Sequence, residues 1–173
     1  NLFPGTQTAL MEYKSILEMI NENDVDIILF ETMGCYKEIK SALTVSSELK
    51  KVKWLSILLK DSNSILDGTS ITRVIDLANE YDIDALLINC TPLSIINKSI
   101  DIIIDKWIGK WGVYPNVGIS MPTKEGVFTK TVDHNIFLKE VTKYLDRGAS
   151  IVGACCGSNP KLIRMISNHI DRY

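Results

Sequence analysis

The sequence predicts an α/β fold built on a parallel sheet, and three observations carry that prediction. Five short runs rich in Ile, Leu and Val recur along the 173 residues. Between them lie longer segments whose apolar residues fall three and four apart, the period of a helix with one buried face. The runs start 27 to 38 residues apart, which is the spacing of right-handed βαβ units. They are continuous rather than alternating, as strands buried on both faces should be.

In order, a helix over residues 9–21 leads into a strand over 26–31, which ends on Glu31-Thr32. A helix over 36–49 follows, with Ile39, Ala42, Leu43, Ser46 and Leu49 on one face. A strand over 53–59 opens a polar connection, 60–70, before a helix over 71–79 that aligns Ile71, Val74, Ile75 and Ala78. The strand over 85–89 ends on Asn89-Cys90, and a helix over 94–108 carries Ile95, Ile96, Ile100, Ile103, Ile104 and Trp107. The strand over 112–116 includes Tyr114-Pro115-Asn116 and opens a second polar connection, 117–132. Asp133 suits the N-cap of a helix carrying Ile136, Phe137, Val141, Tyr144 and Leu145, which Gly148 closes. The last strand, 150–153, runs into Cys155-Cys156. Ser158-Asn159-Pro160, a cap followed by proline, starts a helix through Leu162, Ile163, Ile166 and Ile170.

Composition excludes several classes of function. Nineteen Lys and Arg face 21 Asp and Glu, a net charge of −2. No basic excess points to nucleic acid or to an anionic membrane surface. Apolar runs such as residues 27–30 and 102–104 are too short to span a bilayer, and no export leader is visible. Four cysteines are too sparse for a disulfide scaffold, so a reduced, cytoplasmic protein is expected. A complete (β/α)8 barrel takes about 250 residues, and this chain falls short of that.

Parallel α/β proteins place their chemistry at the carboxyl ends of the strands. Glu31-Thr32, Asn89-Cys90, Tyr114-Pro115-Asn116 and Cys155-Cys156 all fall there, so three of the four cysteines share one edge. Gathered thiolates suit zinc, and three of them leave its fourth position open, as in catalytic sites. Buried cysteine is also among the commonest core residues, and spacing alone leaves both readings open. Adjacent cysteines in a regular strand would point to opposite faces, but Gly153, Ala154 and Gly157 allow the backbone to turn. A disulfide between neighbours would be strained. Glu31 is either a ligand-binding carboxylate or the first solvated residue after its strand. Cys35 is left as a spare thiol, Glu38 as a solvated acid in a first helical turn, and His134 and His169 as surface residues. Trp54, Trp107 and Trp111 read as packing. No Gly-x-Gly-x-x-Gly turn, P-loop or Gly-x-Ser-x-Gly elbow is present.

Four segments together resemble one family. They are Ile27-Ile28-Leu29-Phe30-Glu31-Thr32, Asn89-Cys90, Val113-Tyr114-Pro115-Asn116 and Gly153-Ala154-Cys155-Cys156-Gly157-Ser158-Asn159-Pro160. In order and separation they resemble the homocysteine S-methyltransferase family, as does Asp67-Gly68-Thr69. The likeness covers nearly the whole chain. It implies a (β/α)8 TIM barrel of which this chain holds about five units, the fourth to eighth strands. Residues 1–173 would then be a single domain lacking its N-terminal part, in keeping with an opening Asn1-Leu2-Phe3-Pro4 without methionine. An acidic residue after the first barrel strand, which contacts homocysteine in the family, would be absent.

The resemblance implies Zn2+ held by Cys90, Cys155 and Cys156, with Glu31 at the amino group of homocysteine and Asn116 close to the same amino acid. The implied reaction moves a methyl group from a sulfonium donor, S-methylmethionine or S-adenosylmethionine, to the homocysteine thiol, giving methionine. A thiolate is the nucleophile in such chemistry, and a metal-held sulfur needs no general base. Thr32 stands where the betaine-using branch carries tyrosine, which favours a sulfonium donor, and no cobalamin or folate module is present. Gly34 stands where relatives often have proline, which implies a looser loop after that strand, and Ala154 and Ser158 depart mildly from the family pattern. Two other readings stand beside this one: an inactive zinc-binding remnant of a barrel, and a methyltransferase for another thiol or a selenol. Five strands alone would leave two sheet edges unpaired.

Overall fold

The computed structural model describes residues 3–119, 123–124, 128 and 130–173. Its elements run α1 (Thr6–Asn21), β1 (Ile27–Met33), α2 (Tyr36–Ser46), β2 (Val52–Ile57), α3 (Ile71–Glu80) and β3 (Ala85–Pro92). They continue with α4 (Leu93–Lys106), β4 (Lys110–Asn116), α5 (His134–Asp146), β5 (Ile151–Val152) and α6 (Pro160–Ile170). All five strands are parallel and lie in chain order, β1-β2-β3-β4-β5. That is the order successive crossovers of one hand produce. Among the described residues, no helix is long and apolar enough to cross a membrane. Asn1, Leu2 and residues 120–122, 125–127 and 129 of the second polar connection lie outside the described residues.

Helices α3, α5 and α6 begin at capping side chains. Asp133 accepts from the backbone N–H groups of Asn135 and Ile136, and Asn159 accepts from that of Leu162 with Pro160 in the first turn. Helix α2 takes its cap from elsewhere in the chain. The Cys35 side chain at its N-cap makes no capping bond, and Asp67 Oδ2 accepts from Tyr36 N at 2.7 Å. The same carboxylate accepts from Thr69 N at 2.8 Å, so the Asp67-Gly68-Thr69 turn pins the β2–α3 connection to the start of α2. These N–H groups outweigh the effect of burial and hold the Asp67 carboxyl below the usual range.

The main core lies between the sheet and its helices. Ile28, Phe30, Leu55, Ile57, Leu86, Ile88 and Val113 meet Ile39, Leu43, Val74, Ile75, Ile96, Ile100 and Ile103 there. Trp107 and Trp111 belong to this core. A smaller cluster of Val117, Phe137, Val141, Leu162 and Ile166 joins α5 and α6.

Burial on both strand faces holds for the centre of the sheet and fails at its edge. Ala85 through Asn89 in β3 are all buried, whereas Ile27 and Leu29 of β1 are 41% and 40% exposed. As an outermost strand, β1 has nothing among the described residues to cover its second face. That face is concave: Asn89 on β3 hydrogen-bonds Thr32 on β1, and Tyr114 on β4 bonds Ser56 on β2, each pair skipping a strand. In a flat sheet, strands two apart are separated by about 9.6 Å, and curvature shortens that gap.

Strand β5 is shorter than the expected 150–153, yet its ladder to β4 runs on without it. Gly153 N donates to Val113 O at 3.0 Å, Cys155 N to Pro115 O at 2.7 Å, and Val117 N to Cys156 O at 2.9 Å. Gly112 makes the β4–β5 approach possible. A Cβ there would stand 2.3 Å from the Ile151 carbonyl oxygen and 2.8 Å from Leu87 Cδ2.

Candidate metal centre and amino-acid site

Strands β1 and β3 both run past the ends the sequence suggests, and each breaks register on the way. The breaks lie between Phe30 and Met33 and between Asn89 and Pro92. At each break one side chain other than glycine takes a left-handed backbone, Thr32 with φ 58° and Cys90 with φ 49°. An irregularity of this kind re-aims a side chain that a regular strand would have sent elsewhere. The β3 break is secured by its neighbours. Thr91 Oγ1 donates to Asn89 O at 2.8 Å and accepts from Leu59 N, and Asn116 Nδ2 donates to Cys90 O at 2.9 Å.

The break brings Cys90 to the end of the β5 ladder. Its Sγ lies 2.9 Å from Cys155 Sγ and 3.2 Å from Cys156 Sγ, and the latter two are 3.9 Å apart. Pinned to β4 on both sides and followed by Gly157 at φ 82°, the Cys155-Cys156 segment leaves the regular strand geometry that would separate its thiols. Burial pushes the Cys90 thiol above the ordinary range, and the two neighbouring thiols raise it further. Cys155 is also raised, chiefly by burial. Four-coordinate zinc with bonds of about 2.3 Å sets its sulfurs about 3.8 Å apart. The Cys155–Cys156 spacing meets that figure, and Cys90, at 2.9 and 3.2 Å from the other two, would move outward by under 1 Å to take its place around such an ion. Cys35 lies outside the group, at the start of α2.

Around the thiols runs a line of polar side chains on the concave face. Tyr114 Oη donates to Ser56 Oγ at 2.7 Å, and Ser56 Oγ donates to Asn89 Oδ1 at 2.8 Å. Asn89 Nδ2 then donates to Thr32 Oγ1 at 2.7 Å. Ser56 and Asn89 are completely buried. Glu31 is exposed beside this line and acts on Tyr114, whose hydroxyl is pushed up to about 12 by burial first and then by the Glu31 carboxylate. Asn116 is buried, and its Oδ1 has no hydrogen-bond partner among the described residues. An orphaned buried acceptor costs about 1–3 kcal/mol unless a ligand or water supplies a donor.

Thus the structure gathers Cys90, Cys155 and Cys156, sets Asn116 against the Cys90 backbone, and leaves Glu31 open near Tyr114. The sequence sets Asn89 and Tyr114 at the functional strand ends without giving them a role, and it does not single out Ser56. Their signal was a polar residue inside or ending an otherwise apolar strand. Glu38 is more engaged than a solvated acid, since it accepts from Tyr13 Oη at 3.1 Å, and His169 pairs with Thr142 at 2.8 Å.

Residues 5–170 match the family described as homocysteine S-methyltransferase. The chain belongs to the homocysteine S-methyltransferase family. Among curated members, homocysteine S-methyltransferase 2 of Arabidopsis thaliana is 32% identical over 160 residues, covering 89% of this chain and 48% of that protein. Homocysteine S-methyltransferase 1 of Saccharomyces cerevisiae is 30% identical over 171 residues, covering 93% and 53%. Selenocysteine Se-methyltransferase of Brassica oleracea var. italica is 31% identical over 159 residues, covering 89% and 46%. The chain spans about half the length of these relatives. The apo form of the homocysteine methyltransferase MmuM from Escherichia coli superposes with a TM-score of 0.80 at 20% identity, over 97% of this chain and 58% of that one. Its metallated form gives 0.75 at 21% identity, over 92% and 51%. This likeness extends the family relation to the fold, an α/β architecture on a parallel sheet.

Proposed function

We propose that this chain is the zinc-holding part of an enzyme that transfers a methyl group from a sulfonium donor to homocysteine, giving methionine. The observation that carries this reading is the convergence of three thiols at one point, in a chain of this family. Cys90, Cys155 and Cys156 would hold the zinc, which supplies a Lewis acid that keeps a substrate thiol ionised at neutral pH. Glu31 receives the substrate ammonium, and the unpartnered Asn116 Oδ1 offers a second acceptor near it. Asn116 also braces Cys90 through its backbone carbonyl. The methyl group leaves a donor sulfonium, which becomes a thioether, and joins the acceptor sulfur. A site carrying thiolates and Glu31 is negative, and it favours a donor whose positive charge disappears during transfer. S-methylmethionine and S-adenosylmethionine both meet that condition. The five β/α units correspond on this reading to the fourth through eighth of a (β/α)8 barrel, in a single domain working in the reduced cytoplasm.

A second acceptor has one specific observation behind it, the selenocysteine Se-methyltransferase among the relatives. One assay separates the readings. The zinc-loaded chain, alone and extended upstream in its coding sequence, is given S-methylmethionine with homocysteine or with selenocysteine, and the methylated products are quantified. Methionine from homocysteine is the expected result. Zinc binding without methylation of either acceptor, in both forms, would leave an inactive metal-binding remnant and overturn the proposal.

A further inference from the structure

The carboxyl end of β4 touches each of the three metal-site cysteines in turn. Pro115 O accepts from Cys155 N at 2.7 Å, Asn116 Nδ2 donates to Cys90 O at 2.9 Å, and Val117 N donates to Cys156 O at 2.9 Å. Beyond Val117 an aromatic ring takes over from these bonds. A Cβ on Gly118 would stand 1.8 Å from Phe128 Cδ1, and one on Gly157 would stand 3.1 Å from Phe128 Cδ2. The half-buried ring therefore bridges the two glycines, one edge on each. Backbone bonds hold Phe128 in reach, since Ile119 N donates to Lys130 O at 3.1 Å and Val132 N to Val117 O at 2.8 Å. Gly157 in turn belongs to the turn that aims the paired thiols. Ser158 N donates to Cys155 O at 3.0 Å, which puts Cys156 and Gly157 at the corners of a four-residue turn. Gly157, with φ 82°, has the positive angle that the third position of a type II turn requires. Metal ligands serve their ion best when packing holds them to within about 0.5 Å. Hydrogen bonds do this at Cys155 and Cys156, and at Gly157 the ring does it.

We infer that Phe128 is a positioning residue for the metal centre. Its ring clamps Gly118 to Gly157 and so keeps the Cys155-Cys156 turn in the form that aims both thiols at one ion. The inference rests on the reading of Cys90, Cys155 and Cys156 as metal ligands, and it gives the connection between β4 and α5 a part in that site.

Zinc affinity, measured by competition with a chromophoric chelator, tests it. Phe128→Ala should weaken zinc about tenfold, the low end of what the partners of metal ligands contribute. Gly118→Ala keeps the ring and denies it its seat, so it should weaken zinc to a similar degree. Because both substitutions remove one contact, the double variant should lose about tenfold and not about a hundredfold. Cobalt(II) in place of zinc gives a second readout. Its sulfur-to-metal absorption band grows with the number of bound thiolates, and it should fall in Phe128→Ala. Phe128→Leu, which keeps apolar bulk and loses the bridge, carries the test should the alanine variant not fold. A ring that only stabilises the fold would lower the urea midpoint of the metal-free chain and leave zinc affinity and the cobalt band at wild-type values. That result, or losses that multiply in the double variant, overturns the role of Phe128 and leaves the functional reading in place. Wild-type chain that binds no zinc overturns the functional reading, and this inference with it.

Discussion

Thr32 and Cys90 hold left-handed backbones that only glycine adopts freely, at a cost of about 1–3 kcal/mol each. Such strain persists where surrounding bonds fix it, and here Asn89, Thr91 and Asn116 do so. The strained Cys90 is the one thiol of the group that comes from β3, so the three-thiol cluster does not form without the break in that strand. Metal analysis of the zinc-loaded wild type should give about one ion per chain, as expected of a single three-thiolate site. Cys90→Ala should lower zinc affinity by more than about 100-fold, because even outer-shell partners of metal ligands are worth 10–100-fold. Wild-type affinity in that variant would remove Cys90 from the site. The cysteines and Glu31 were legible in the sequence because reactive residue types stood at predicted strand ends. The hydrogen-bonded line through Ser56, Asn89 and Tyr114 was not, because its partners lie 33 to 58 residues apart and only the curvature of the sheet unites them.

Apolar periodicity located every helix and strand, and it misjudged how some of them end. Strands β1 and β3 pass through register breaks at a threonine and a cysteine, residue types that give no warning of a left-handed backbone. The cap of α2 was equally hidden, since Asp67 supplies it from 31 residues downstream. Gly112 is the opposite case, a residue that looks like a weak point in its strand and is needed there. The Ile151 carbonyl oxygen fills the place a side chain would take. Gly112→Ala should therefore cost about 1–3 kcal/mol through overpacking. It should appear as a lower urea midpoint with an unchanged slope. An unshifted midpoint would mean that β5 yields without penalty.

Across the whole molecule, burial raises the hydroxyls of Tyr13, Tyr114 and Tyr144 above the ordinary tyrosine range. A group raised in the folded state contributes fully below its unfolded pKa, and that contribution is lost as pH climbs through its folded value. Stability should therefore hold at neutral pH and decline above about pH 10, where unfolded tyrosines ionise. In metal-free protein the raised thiols of Cys90 and Cys155 should start the decline earlier, from about pH 8.5. Urea midpoints measured across alkaline pH check both limbs, and an increase with pH would contradict the assignment. Cys90 and Cys155 are 65 residues apart in the chain. An ion gripped by both would close that span into a ring, removing freedom from the unfolded chain without adding a single packing contact to the folded one. Such an ion would be a brace as well as a reagent, and the melting temperature would rise with free zinc by mass action.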